Sequence, residues 1–154
     1  MSVEGIILRP GEARTVSLGG NQFTFMVTGE DAKGASAVEF RAAPGFDSGV
    51  HVHRSVEEIF YVVEGEFNLQ VGDRVVRGGP GSAVFVPSGA RHAISNPGST
   101  PAKMVLIISP AGHERYFEEL AKLLAKEGPP DMAAIAALRK QYDHEQLSPL
   151  TLGS

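Results

Sequence analysis

The segment GFDSGVHVHRSVEEIFYVVEG, residues 45–65, decides how this chain is read. His51 and His53 lie two apart, so on a β-strand both side chains leave the same face. Glu58 follows on the next stretch of extended pattern, and a second segment, GSAVFVPSGARHAISN, residues 81–96, adds His92. Three imidazoles and one carboxylate brought to one point make a nitrogen and oxygen donor set suited to a divalent first-row metal. The chain has no cysteine, which excludes thiolate ligation and disulfides.

Five residues separate Gly45 from His51, four separate His53 from Glu58, and six separate Glu58 from Gly65. In the second segment five residues separate Gly81 from Pro87, and Gly89, His92 and Asn96 follow at steps of two, three and four. Both segments resemble the paired motifs of the cupin superfamily, and the short stretch between Gly65 and Gly81 resembles its smaller single-domain members. The resemblance implies an all-β fold, the cupin jelly-roll barrel or double-stranded β-helix. It also implies that His51, His53, Glu58 and His92 hold one divalent transition metal per chain: iron, manganese, nickel, cobalt, copper or zinc. Glu57 stands beside Glu58, but the gap to Gly65 selects Glu58, and on a strand Glu57 faces the other way. The motif glycines, Pro87 and Asn96 are read as backbone devices.

At 154 residues the chain is the size of one domain. Its 42% hydrophobic and 21% charged residues suit a globular protein. A net charge of −4 with no Lys/Arg cluster leaves no field for a phosphate backbone, so no nucleic-acid partner is expected. Near the N-terminus only Ile6, Ile7 and Leu8 are consecutively aliphatic, too few for a secretory signal, and no window approaches a membrane span. A cytoplasmic protein is the expectation.

Residues 1–110 read as short strands of a β-barrel, broken by glycine, proline and asparagine. Phe23, Phe25 and Val27 alternate with Thr24, Met26 and Thr28, and Val38 and Phe40 with Ala37, Glu39 and Arg41. Ile59 to Val63 is apolar at every position, which predicts a strand covered on both faces, with Tyr61 packed against an outer layer. Residues 111–146 predict a helical hairpin packed on the barrel or on a partner subunit. Its first helix, His113 to Lys126, gathers Tyr116, Phe117, Leu120, Leu123 and Leu124 on one face. Asp131 is the expected N-cap of the second, Met132 to Tyr142. His113 and His144 read as helix-end or surface residues, and residues 147–154 as a frayed tail. The apolar strand and hairpin together need more cover than one small barrel offers, which predicts a homodimer.

Parity along the strands points Phe40, Phe60, Val62 and Ile94 into the barrel with the ligands, and turns Arg41 away. An apolar pocket lined this way fits a small apolar or aromatic substrate. The motifs and pocket resemble those of quercetinase-like cupins. That resemblance implies a metal-dependent dioxygenase acting on an enolic or catecholic aromatic, with Glu58 as the general base. Two other functions fit the same residues: a non-enzymatic metal- and ligand-binding module, and a non-redox isomerase or lyase using the metal as Lewis acid.

Overall fold

The computed structural model describes residues 4–154. In chain order the strands are β1 Arg14–Leu18, β2 Asn21–Val27, β3 Ser36–Ala42, β4 His51–Val52, β5 Glu57–Glu64, β6 Phe67–Val71 and β7 Arg74–Gly78. They continue with β8 Ala83–Val86, β9 His92–Ser95 and β10 Ala102–Ser109, then helices α1 Arg115–Leu124 and α2 Met132–Gln141, and finally β11 Glu145–Gln146. A six-stranded sheet runs β1-β2-β3-β10-β5-β8 and a five-stranded sheet β11-β4-β9-β6-β7. The two close on one another as a jelly-roll barrel, with the two helices after it. Among the described residues no helix is long and apolar enough to cross a membrane.

Alternation produces the core. On β10, Ala102, Met104, Leu106 and Ile108 are buried while the residues between them are half-buried. Val38 and Phe40 of β3 and Phe60 and Val62 of β5 flank them across the register, and Phe67 and Leu69 of β6 also belong to the core. Each large apolar side chain so buried contributes about 1.5–3 kcal/mol on leaving water. The β6–β7 hairpin turns at Gly72 and Asp73, as expected, with Gly72 at φ +60°.

The helical segment is anchored by aromatic stacking. Phe117 of α1 stacks on Phe23 of β2 with ring centroids 4.4 Å apart, and Phe23 stacks on Phe40 at 4.6 Å. Asp131 caps α2 as predicted, its carboxylate accepting from Ala134 N at 3.0 Å. The first helix starts two residues later than its apolar pattern suggests. Glu114 is instead a tether: its carboxylate accepts from Gly29 N at 2.6 Å and Gly112 N at 2.7 Å.

Two expectations are corrected. Ile59, Tyr61 and Val63 are not covered on their outer side: they are 44%, 50% and 44% exposed, because no element of the described chain packs over that face of the six-stranded sheet. Tyr61 therefore has no outer layer to pack against within the chain. The tail does not fray. Leu147 N donates to Val50 O at 2.8 Å, Thr151 and Asp47 exchange two backbone bonds of 2.8 Å, and Asn21 Nδ2 donates to Leu152 O at 2.8 Å. Residues 147–154 are thus fastened along the strand that leads into the motif histidines.

Gly49 is a point of close approach between tail and motif. It sits at φ +66°, and a Cβ there would lie 2.5 Å from Gln146 Nε2 and 2.6 Å from Pro149 O. Gly72 has a similar φ of +60° with nothing within 4 Å of such a Cβ. Gly72→Ala is therefore expected to cost only left-handed backbone strain, about 1 kcal/mol, and Gly49→Ala at least about 2 kcal/mol more through displacement of the tail. Thermal unfolding of the two variants side by side checks this, and equal losses would show that the tail contact carries no stability.

Candidate metal centre

The four motif side chains come from both sheets. His51 opens β4 and pairs directly with His92, which opens β9 in the same sheet, and Glu58 lies on β5 of the other sheet. His53 follows β4 immediately. All four are buried, with exposures of 9% for His51, 3% for His53, 4% for Glu58 and 1% for His92. One ligand atom from each lies within 4.8 Å of the others.

Backbone carbonyls fix the tautomers. His51 Nδ1 faces Gly49 O at 2.8 Å, His53 Nδ1 faces Asp143 O at 2.8 Å, and His92 Nδ1 faces Ala90 O at 3.0 Å. A carbonyl oxygen only accepts, so each Nδ1 carries the hydrogen and donates it. In the neutral ring each Nε2 then offers a lone pair. His92 Nε2 stands 2.8 Å from Glu58 Oε2, and His53 Nε2 stands 3.6 Å from the same oxygen. His92 Nε2 and Glu58 Oε2 are both buried with no hydrogen-bond partner. Facing lone pairs in a dry site repel unless a cation lies between them, and histidines held by their second nitrogen are the usual form of metal ligands. The donor set therefore fits one divalent metal.

The electrostatics agree. Burial pushes the Glu58 carboxyl up, but a hydrogen bond from His92 and the charge of the His53, His92 and His51 rings when they carry a second proton outweigh it and hold the group down at about 2. Burial, reinforced by neighbouring rings, lowers His51 well below the ordinary imidazole value. Burial thus favours the neutral His51 that ligation requires, and a bound cation would replace the ring protons in holding Glu58 ionised.

The chain has five histidines, and all converge here. His113 and His144, expected at helix ends or on the surface, instead roof the site. The His113 ring lies 4.5 Å from that of His53, and the His144 ring stacks on His51 at 4.6 Å. Burial is the first cause that lowers both, His113 to about 4 and His144 to about 3. They were missed because helical periodicity places residues on one helix, whereas these two lie just outside α1 and α2. Their position depends on α2 turning back: Asp143, at φ +54°, presents its carbonyl to His53, and β11 then pairs with β4. No local pattern announces that long-range return.

A cavity of about 60 Å³ adjoins the donors. Phe40, Phe60 and Ile94 line it, together with Phe23, His113 and His144. Val62 does not: it is fully buried in the core, one strand repeat beyond Phe60. Arg41 and Glu57 are exposed, in keeping with their parity.

Residues 38–108 match the family model of the cupin domain, and the barrel that carries them is a cupin fold. Among characterised proteins, the chain is similar to the tetracenomycin polyketide synthase protein TcmJ of Streptomyces glaucescens, with 38% identity over 68 residues. That match spans 44% of this chain and 46% of the relative, so about half of the relative's length. Among solved structures, KdgF from Halomonas sp. superposes with a TM-score of 0.66 at 20% identity, over 73% of this chain and 99% of that one. An RmlC-like cupin from Shewanella frigidimarina gives 0.63 at 25% identity, over 73% and 96%.

The converging donors predict one divalent ion per chain, removable by chelation. His92→Ala, which deletes the imidazole nearest Glu58, should weaken binding by at least about tenfold. Elemental analysis after reconstitution with excess metal measures both, and the absence of a stoichiometric ion in the parent protein would refute the assignment.

Proposed function

We propose that the protein is a metal-dependent cupin dioxygenase for a small enolic or catecholic aromatic, with His51, His53, Glu58 and His92 as ligands. The observation that carries this reading is the opposed pair of lone pairs, His92 Nε2 and Glu58 Oε2, beside a cavity walled by Phe40, Phe60 and Ile94. A bound metal would supply positive charge to acidify a substrate hydroxyl and open positions for substrate and dioxygen. The Glu58 carboxylate is the base that receives the hydroxyl proton, and the apolar walls exclude water and hold the ring in place. The relative's name supports the substrate class, because polyketide chains carry 1,3-dicarbonyl units that enolise readily. The cavity, about 60 Å³, is far smaller than the sites of drug-sized ligands, which disfavours a fused flavonol.

A non-redox isomerase or lyase is the second reading, favoured by the same small cavity and by a donor set that serves equally as a Lewis-acid site. Oxygen uptake separates the two. Protein reconstituted singly with iron, manganese, nickel, cobalt, copper and zinc is tested with catechols, 1,3-diketones and flavonols in an oxygen electrode. Uptake with one metal and one class supports the dioxygenase, and none across the panel moves the assignment to the non-redox chemistry. Glu58→Gln keeps the shape of the side chain and removes its basicity, so turnover should fall by roughly two to four orders of magnitude. Metal occupancy in that variant should fall less. Full activity in Glu58→Gln removes it as the base.

The uncovered face of the six-stranded sheet supports a homodimer. Ile59, Tyr61 and Val63 of β5 and Phe85 of the neighbouring β8 are all 44% exposed or more and adjoin one another across the register. A contiguous apolar face of this kind marks an association surface. Sedimentation at micromolar concentration should give a species of twice the 16.3 kDa chain mass, reduced to one chain by Tyr61→Glu. A single-chain species in the parent protein contradicts the dimer.

A further inference from the structure

We propose that His144 is a fixed hydrogen-bond acceptor for a second hydroxyl of the substrate, so that the site selects molecules bearing two neighbouring oxygens over those bearing one. This rests on the dioxygenase reading above for the first oxygen, and it adds a residue of the C-terminal segment to substrate recognition.

The argument begins at Gln146. Its Nε2 donates to Ser48 O at 2.9 Å and Ser148 O at 2.6 Å, which fixes which end of the amide is nitrogen. Its Oε1 then faces His144 Nε2 at 2.6 Å. An amide oxygen only accepts, so His144 carries its hydrogen on Nε2, and the lone pair of the neutral ring is on Nδ1. That Nδ1 is buried and has no hydrogen-bond partner.

The ring cannot easily turn away. It is sandwiched between His51, stacked at 4.6 Å and 4°, and Tyr116, stacked at 4.6 Å and 28°. Its backbone N is bonded to Arg139 O at 2.9 Å. His144 lines the same cavity as Glu58 and His53. A fixed, buried acceptor at the edge of an apolar pocket discriminates for a ligand that brings a donor.

A second metal is the competing partner for this nitrogen, since donor atoms of His53, His113 and His144 also lie within 4.8 Å of one another. His53 argues against it. Its Nδ1 is committed to Asp143 O, which leaves only Nε2, and that atom already faces Glu58. One lone pair cannot serve two ions, so a ligand hydroxyl is the partner His144 can take while the first centre is filled.

The test uses zinc-loaded protein, because zinc is redox-silent and leaves the probe unconverted. Catechol and phenol differ by the second hydroxyl, and calorimetric titration gives the catechol-to-phenol affinity ratio in each variant. His144→Phe keeps the stacked ring and deletes the acceptor, and should lower that ratio by about fivefold to thirtyfold. His144→Asn places an amide oxygen near the Nδ1 position and should restore most of it. Zinc content should remain one per chain throughout. If the phenyl variant does not fold, His144→Ala carries the same comparison. A ratio unchanged in His144→Phe overturns the role of His144 and leaves the dioxygenase reading standing. No binding of catechol to the parent protein overturns the proposal and removes catechols, but not 1,3-diketones, from the dioxygenase reading. Two zinc ions per parent chain, with the second lost in His144→Ala, would give the nitrogen to a metal and overturn the proposal.

Discussion

The contact between Glu58 Oε2 and His92 Nε2, 2.8 Å apart with the ring hydrogen on the far nitrogen, is the constraint around which the molecule is arranged. Neither atom would choose this neighbour, since both present electron density and both are out of water. The barrel imposes it from two directions. Glu58 is carried by β5, whose alternating neighbours Phe60 and Val62 are locked into the core, and His92 by β9, paired to β4 through His51. Closing one sheet on the other therefore determines the separation, and the hydrophobic burial that closes them offsets the electrostatic cost. A cation between the atoms reverses the sign of that cost, which couples metal binding to the stability of the whole barrel.

The C-terminal segment completes the constraint. Asp143 does two things at once: its carbonyl takes the His53 Nδ1 hydrogen, and its carboxylate accepts from Arg54 N at 2.9 Å, Ser55 N at 2.8 Å and Ser55 Oγ at 2.8 Å. The loop between the ligand histidines and Glu58 is thus held by a residue some 90 positions away. Its φ of +54° is a conformation that aspartate tolerates better than most residues. The tautomer of His53 depends on a fold-level contact, so loosening α2 should reach the donor histidines through Asp143 before it reaches the barrel core.

Much of this was legible before any coordinates. The motif spacings carried the jelly roll and the four donors, and simple parity placed Phe40, Phe60 and Ile94 at the cavity and sent Arg41 and Glu57 outward. Parity failed at Val62 because it tells only which face a residue occupies, not how far along the barrel the cavity extends. Composition failed at Ile59, Tyr61 and Val63, since an apolar run implies a covering surface without saying which chain provides it. His113 and His144 were invisible for a different reason. Each lies beyond a helix end, where periodicity stops, and only the pairing of β11 with β4 and the stack of Phe117 on Phe23 bring them over the donors. Contacts of that range leave no trace in a local pattern.

The division of labour that results has a chemical consequence. The motif residues define what can be done at the centre, a set shared in kind by proteins with quite different reactions. The roof decides what can reach it, and the roof is built from the part of the chain outside the cupin-domain match: His113, Phe117 and His144 all lie after residue 108. With the roof in place the cavity is about 60 Å³, and His113 and His144 are the polar groups that the roof adds to its wall. Size and polarity at that end are therefore set independently of the metal. A substitution at Phe117 reshapes the wall from outside the motifs, whereas residues 143–146 reach the donors directly, through the Asp143 carbonyl on His53 and the His144 ring on His51.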